Sequence, residues 1–212
     1  MKKYPATRKQ HTNLAKGEVR IIAGLWRGRK LPVLNAEGLR PTGDRVKETL
    51  FNWLMPYIVD ATCLDCFAGS GSLGLEALSR QAKQVTFLEL NKQVAKQLTQ
   101  NLQQLKCTPQ QGRVINQDSL HYLQQPQQEP MFDLVFLDPP FHFDLAQQAV
   151  NFLVKFNWLK ADALIYVETE KNKTLNVPDN WQILKEKTTG QVCYRLYQYI
   201  DCVVNTVSTP SI

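Results

Sequence analysis

Leu134-Val135-Phe136-Leu137-Asp138-Pro139-Pro140-Phe141 is the stretch from which the rest of the chain is best read. Its four leading apolar residues match a strand buried on both faces of a parallel sheet. The run stops at an acid followed by two prolines. Proline cannot donate to a sheet ladder, and Pro139 biases Asp138 towards extended backbone. The chain therefore leaves the sheet with a carboxylate, free carbonyls and an aromatic ring close together. In open α/β sheets, ligands bind at the carboxyl ends of the strands. Phe141 can stack on a nucleobase, while Asp138 and the Pro139 carbonyl can accept both hydrogens of an exocyclic amine. A plain type I or II turn accounts for the same residues, so the string alone leaves both readings open.

Upstream, Cys63–Phe67 reads as a strand followed by Ala68-Gly69-Ser70-Gly71-Ser72-Leu73-Gly74 and a helix to about Arg80. A glycine-rich turn between strand and helix is a nucleotide-binding setting, because glycine lets backbone approach a ligand without a Cβ clash. Glu89 ends the next strand, twenty residues after Gly69, where a carboxylate can take both hydroxyls of a ribose. Asp118, one strand further, can meet an adenine amino group or simply cap the helix that begins there. The glycines alone do not separate a nicotinamide enzyme from one using S-adenosylmethionine.

The pattern continues as alternating strands and helices. Strands are expected at Val85–Leu90, Arg113–Asn116 and Ala163–Val167, and helices at Asn91–Lys106 and from Asp144 to about Phe156. Trp181–Lys187 and Gln191–Tyr199 flank Gly190 as a closing antiparallel pair. Repeated βα units predict a mostly parallel sheet covered by helices on both faces. Before them, a helix from about Asp44 to Met55 carries Val46, Leu50, Phe51 and Leu54 on one face. Residues 44–201 form the main domain in this reading, with a frayed tail at 202–212.

The first 43 residues differ in character. Residues 1–48 carry twelve Lys/Arg against four Asp/Glu, whereas the remaining 164 carry thirteen against fifteen. The whole +6 excess therefore sits at the start, as in a nucleic-acid-binding arm. Residues 1–16 read as a flexible basic tail, and residues 17–43 as a basic hairpin extension. Val19–Gly24 and Arg29–Val33 are its strands, with Trp26, Arg27, Arg29 and Lys30 near its tip. Such a tip can contact phosphates and stack on an unpaired base; Trp26 can equally pack the hairpin onto the body. The 212 residues and 43% hydrophobic content suit one substantial core. No apolar run reaches the length of a membrane span. Five cysteines without a secretory signal point to a reducing cytoplasm. Cys63 and Cys66 lack a second pair or nearby histidine, so they read as core residues and no metal is expected.

Taken together, Asp65-x-Phe67-x-Gly69-Ser70-Gly71, Glu89 and Asp138-Pro139-Pro140-Phe141 resemble the amino-group methyltransferases that use S-adenosyl-L-methionine. Further stretches are similar to the RsmD family, bacterial 16S ribosomal RNA guanine-N2 methyltransferases. They are Arg20-Ile21-Ile22-Ala23-Gly24-x-Trp26-Arg27-Gly28-Arg29-Lys30-Leu31, Leu39-Arg40-Pro41-Thr42, Glu48–Asn52 and Gly190-Gln191-Val192-x-Tyr194-Arg195-Leu196-Tyr197. The resemblance spans about residues 18–199. It implies a Rossmann-like class I methyltransferase: a seven-stranded, mostly parallel sheet with helices on both faces, preceded here by the hairpin. It implies cofactor contacts at Asp65, Phe67, Gly69, Ser70, Gly71, Glu89 and Asp118. Asp138, Pro139 and Phe141 would serve catalysis, with Pro140, Trp26, Arg27, Arg29 and Lys30 on the substrate. The expected partner is 16S rRNA in an assembling or assembled small subunit, met by a cytoplasmic monomer.

Overall fold

A computed structural model describes residues 16–34, 43–127, 131–140 and 144–201. The main sheet has seven strands in the order β5-β4-β3-β6-β7-β9-β8. They are β3 (Thr62–Asp65), β4 (Gln84–Leu88), β5 (Gly112–Ile115), β6 (Phe132–Leu137), β7 (Leu159–Glu170), β8 (Trp181–Thr189) and β9 (Val192–Tyr199). β3 to β7 pair in parallel, and β9 runs antiparallel between β7 and β8. The chain moves outward from β3 to β4 and β5, then returns and crosses to β6 on the other side. That reversal opens a crevice between the carboxyl ends of β3 and β6.

Helix α1 (Asp44–Leu54) precedes β3, and α2 (Ser72–Ser79), α3 (Lys92–Gln104), α4 (Ser119–Leu123) and α5 (Leu145–Lys155) connect the successive parallel strands. Alternation along the strands feeds two cores. Cys63, Phe87, Leu134, Phe136, Leu164 and Tyr166 join one, with Leu50, Phe51 and Leu54 of α1. Leu64, Leu88, Val135, Leu137, Ile165 and Val167 join the other, with Ala149, Val150 and Leu153 of α5. Cys63 and Cys66 fall in opposite cores, both fully buried. A C-x-x-C on extended backbone sends its sulfurs to opposite faces, and burial pushes both thiols well above the ordinary range.

The expected hairpin is present with different bounds. β1 (Lys16–Arg20) pairs antiparallel with β2 (Lys30–Leu34), and a 3-10 turn at Gly24–Trp26 fills a connection wider than the expected four residues. The reason lies in the body rather than in the hairpin. Glu76 of α2, fully buried, accepts from the Ile22 and Ala23 N–H groups at 2.8 and 3.0 Å. Ser79 Oγ accepts from Trp26 N–H and donates to the Ala23 carbonyl. Gly24 has φ +79, and a Cβ there would sit 1.9 Å from the Ser79 carbonyl oxygen. The connection is thus clamped onto the carboxyl end of α2. Val19, Ile21, Leu31 and Val33 enter the same core as α1 and α2. Lys47, 1% exposed, donates to the Arg20 carbonyl and pairs with Asp44 at 3.5 Å. Burial lowers its pKa, against the pull of Asp44 and Glu76.

Candidate active site

The glycine loop leaves β3 at the crevice. Gly69 and Gly71 have φ +51 and +78, a left-handed backbone that side-chain-bearing residues resist. At Gly71 the demand is also internal, since an added Cβ would meet Leu98 Cδ1 at 2.4 Å. Gly74 lets α2 settle on the sheet, because its Cβ would lie 2.2 Å from the Phe87 ring. Asp65 is 2% exposed, and its Oδ2 accepts from Gly74 N–H at 3.0 Å. It ties the start of α2 to β3. Burial raises its pKa to about 7; the Gly74 bond opposes that shift, while the charges of Asp138 and Glu89 add to it. Phe67 and Ser70 are half-buried at the same turn.

Strand register brings three further carboxylates to the crevice. Asp65 pairs in register with Phe87 on β4 and with Phe136 on β6, and Phe136 pairs with Tyr166 on β7. Two residues further along each chain direction, just past the ends of β4 and β6 and near the end of β7, stand Glu89, Asp138 and Glu168. Glu89 accepts from Gly69 N–H at 2.9 Å and from Asn91 N–H at 2.6 Å. Burial raises its pKa against those two bonds. The carboxylate thus braces the glycine loop. Next to it Leu90 is 68% exposed, an apolar surface suited to the face of a purine. Asn116 holds this turn by donating to the Glu89 and Leu90 carbonyls, both at 2.8 Å. Asp118 caps α4, with Oδ1 accepting from His121 N–H at 2.8 Å. The cap is thereby established; its exposed carboxylate still has lone pairs for an amine.

Asp138 and Pro139 follow β6 directly, half-buried and buried respectively, and Pro140 is exposed. Pro139, Pro140, Glu168, Thr169, Glu170 and Lys173 are among the residues lining a cleft at this edge. Glu168 and Thr169 carry no motif of their own and join the site through the sheet. The signal existed: Glu168 is the first polar residue after the apolar run Ala163–Val167, as Asp138 is after Leu134–Leu137. Phe141 lies outside the described residues, as do Leu39-Arg40-Pro41-Thr42, the tail before Lys16 and the tail after Asp201.

The basic hairpin residues stand elsewhere. α2 runs from the glycine loop down to Ser79, about 12 Å for eight residues, and the Gly24–Trp26 turn is fastened at that far end. Trp26 is half-buried against the core. Arg29 donates to the Gln104 carbonyl at the end of α3 at 3.2 Å, and Lys30 pairs with Glu18 at 3.1 Å. Arg27 is exposed.

These residues fit S-adenosylmethionine: two positive-φ glycines, a carboxylate at the next strand end, an exposed leucine beside it and a second carboxylate after the neighbouring strand. The chain matches the family described as Conserved hypothetical protein 95 over residues 19–198. It is 73% identical over 191 residues to Ribosomal RNA small subunit methyltransferase D of Haemophilus influenzae, covering 90% of this chain and 99% of that protein. The protein of the same name from Escherichia coli is 52% identical over 191 residues, covering 90% and 94%. Among solved structures, a putative methylase from Haemophilus influenzae superposes with a TM-score of 0.79 at 68% identity, covering 87% of this chain and 100% of that one. The putative methyltransferase yhhF from Escherichia coli gives 0.80 at 51%, covering 87% and 99%. With its class I methyltransferase fold and these relatives, the chain belongs to the Conserved hypothetical protein 95 family, the RsmD family that its sequence motifs resemble.

Proposed function

We propose that this protein methylates the N2 amine of one guanine in the 16S rRNA of the small ribosomal subunit. Family membership supports an S-adenosylmethionine-dependent rRNA methyltransferase. The observation that carries the amine is Asp138-Pro139, set at the end of β6 across the crevice from the glycine loop.

When bound, S-adenosylmethionine supplies an electrophilic methyl group on a sulfonium. Gly69, Ser70, Gly71 and Glu89 would hold it, with Leu90 and Asp118 beside its purine and Asp65 and Phe67 shaping the turn. Guanine N2 is a weak nucleophile because its lone pair is delocalised into the ring. Asp138 and the Pro139 carbonyl accept its two hydrogens, fixing the amine and favouring a more pyramidal nitrogen. Phe141 supplies a stacking face, worth roughly 1–3 kcal/mol per base in single-strand sites, with Pro140 beside it. Holding both reactants in place lowers the barrier by about 7–11 kcal/mol. No strong base is needed, since the methylated ammonium is acidic and sheds its proton to water. A paired base cannot reach a strand-end crevice, so the target is unpaired or flipped out. Arg27 and Lys30 extend the phosphate-binding surface to the far end of α2, with Arg29 and Trp26 holding the hairpin there. We assign the work to a cytoplasmic monomer acting on an assembling or assembled subunit. Among the described residues no helix is long and apolar enough to cross a membrane.

The test is methyl transfer from labelled S-adenosylmethionine to naked 16S rRNA, to small subunits from cells lacking the protein, and to duplex DNA. Nucleoside digestion should yield N2-methylguanosine from ribosomal RNA. Label on adenine N6, on cytosine N4 or on DNA would reject the proposal.

A further inference from the structure

Guanine presents two kinds of donor on one edge, the N2 amine and the N1–H. The proposed site accounts for the amine alone. A second acceptor is needed beside Asp138 if the enzyme is to distinguish guanine from bases that carry an amine but no N1–H.

β7 supplies it. Leu137 pairs in register with Val167, so Asp138, the first residue after β6, and Glu168 of β7 come one step past the same paired residues. Paired strands lie about 4.8 Å apart, which sets these two residues side by side at the strand ends. Glu168 is 6% exposed and lines the cleft with Pro139 and Pro140. Its Oε1 accepts from the Tyr166 hydroxyl at 2.7 Å. Tyr166 is fully buried between Phe136 and Tyr194, so this bond orients the carboxylate from a rigid floor. A carboxylate has about four acceptor sites, so the bond to Tyr166 is compatible with accepting from a ligand as well. Asp138 also acts electrostatically on Tyr166, which ties the three groups into one neighbourhood.

We propose that Glu168 is a specificity-determining residue that accepts the N1–H of the target guanine while Asp138 and Pro139 hold its N2 amine. This rests on the guanine-N2 reading above. A base with an unprotonated N1 turns a lone pair towards a buried carboxylate and loses the hydrogen bond at once. Sites built around a hydrogen-bonded group reject analogues lacking it far more strongly than apolar pockets reject a missing methylene.

The experiment uses small subunits reconstituted with 16S rRNA carrying either guanine or 2-aminopurine at the mapped methylation position. 2-Aminopurine keeps the N2 amine but has no N1–H. Wild type should prefer guanine by roughly 10- to 100-fold in kcat/KM, the range of one charged hydrogen bond. Glu168→Gln should bring the ratio to within about threefold, mainly by losing turnover on guanine, because its amide oxygen stays with the Tyr166 hydroxyl and its NH2 group turns a donor towards the guanine N1–H. S-adenosylmethionine affinity by calorimetry and the melting temperature should stay near wild type. Comparable rates of wild type on the two bases would overturn the proposal without any variant. An unchanged ratio in a folded Glu168→Gln enzyme would overturn it too. Failure of wild type to form N2-methylguanosine at all would instead remove the reading on which it rests.

Discussion

Replacing Glu76 by alanine should loosen the whole amino-terminal hairpin. The fully buried carboxylate takes the Ile22 and Ala23 N–H groups at 2.8 and 3.0 Å and the Arg80 Nε–H at 2.8 Å. The substitution leaves two backbone donors and one guanidinium facing an empty space. A buried unsatisfied donor costs about 1–3 kcal/mol, and breaking a buried charge pair costs about 3–5. Arg80 retains some contact with water and rests on the Phe51 ring at 5.0 Å, which reduces its share. The expected loss is roughly 3–5 kcal/mol for the variant as a whole. At about 2–4 °C per kcal/mol for a domain of this size, melting should fall by about 6–20 °C. Glu76→Gln should cost less, because its amide oxygen still accepts while its NH2 group opposes a donor. Arg80→Ala should cost least, since Glu76 still holds both backbone amides. Urea unfolding gives the free energies, and hydrogen exchange at Ile22 and Ala23 locates the damage. A Glu76→Ala protein within about 1 kcal/mol of wild type, with both amides still protected, would refute the clamp.

The remaining expectations concern the site. Asp138→Ala should abolish methyl transfer while leaving S-adenosylmethionine affinity by calorimetry nearly unchanged; wild-type turnover would break the amine assignment. Asp65 has a folded pKa near 7 against an ordinary value of 3.8, so the folded state binds more protons between those values. Stability should therefore fall as pH rises from about 4 to 7, by up to about 4 kcal/mol from this group, and level off above. Asp65→Asn should flatten that window in urea titrations, and an unchanged wild-type slope would contradict the assignment. Gly74→Ala should cost about 1–3 kcal/mol, because its methyl must displace the Phe87 ring; a neutral result would mean the ring moves freely. Arg27→Ala should lower the salt slope of RNA binding by about 1. Arg29 and Lys30 are poorer probes, since both already serve the hairpin; an unchanged slope for Arg27→Ala would exclude the tip.

Much of this protein was legible locally. Apolar run, turn residues and helical spacing are properties of consecutive residues, so β3 to β7, the glycine loop and the closing pair could be placed within a few residues. The family motifs belong to the same kind of information. Asp118 could be seen as a cap candidate because capping reaches only three residues ahead, and His121 N–H is indeed its partner. The limits appear where the relevant neighbour is far along the chain. Glu89 braces Gly69 across 20 residues, and Glu76 seizes Ile22 across 54. Nothing near Arg29 announces that the end of α3, 75 residues on, takes up its guanidinium. Likewise Glu168 stands beside Asp138 because β7 joins β6 in one register, and a slip of a single residue would turn it to the other face. Charge and composition could mark the hairpin as basic, but its distance from the glycine loop follows from α2, whose far end holds it. Local physics set the elements and the chemistry each carries. Strand order and register, which arise only when distant segments pair, decided which carboxylates meet at one crevice.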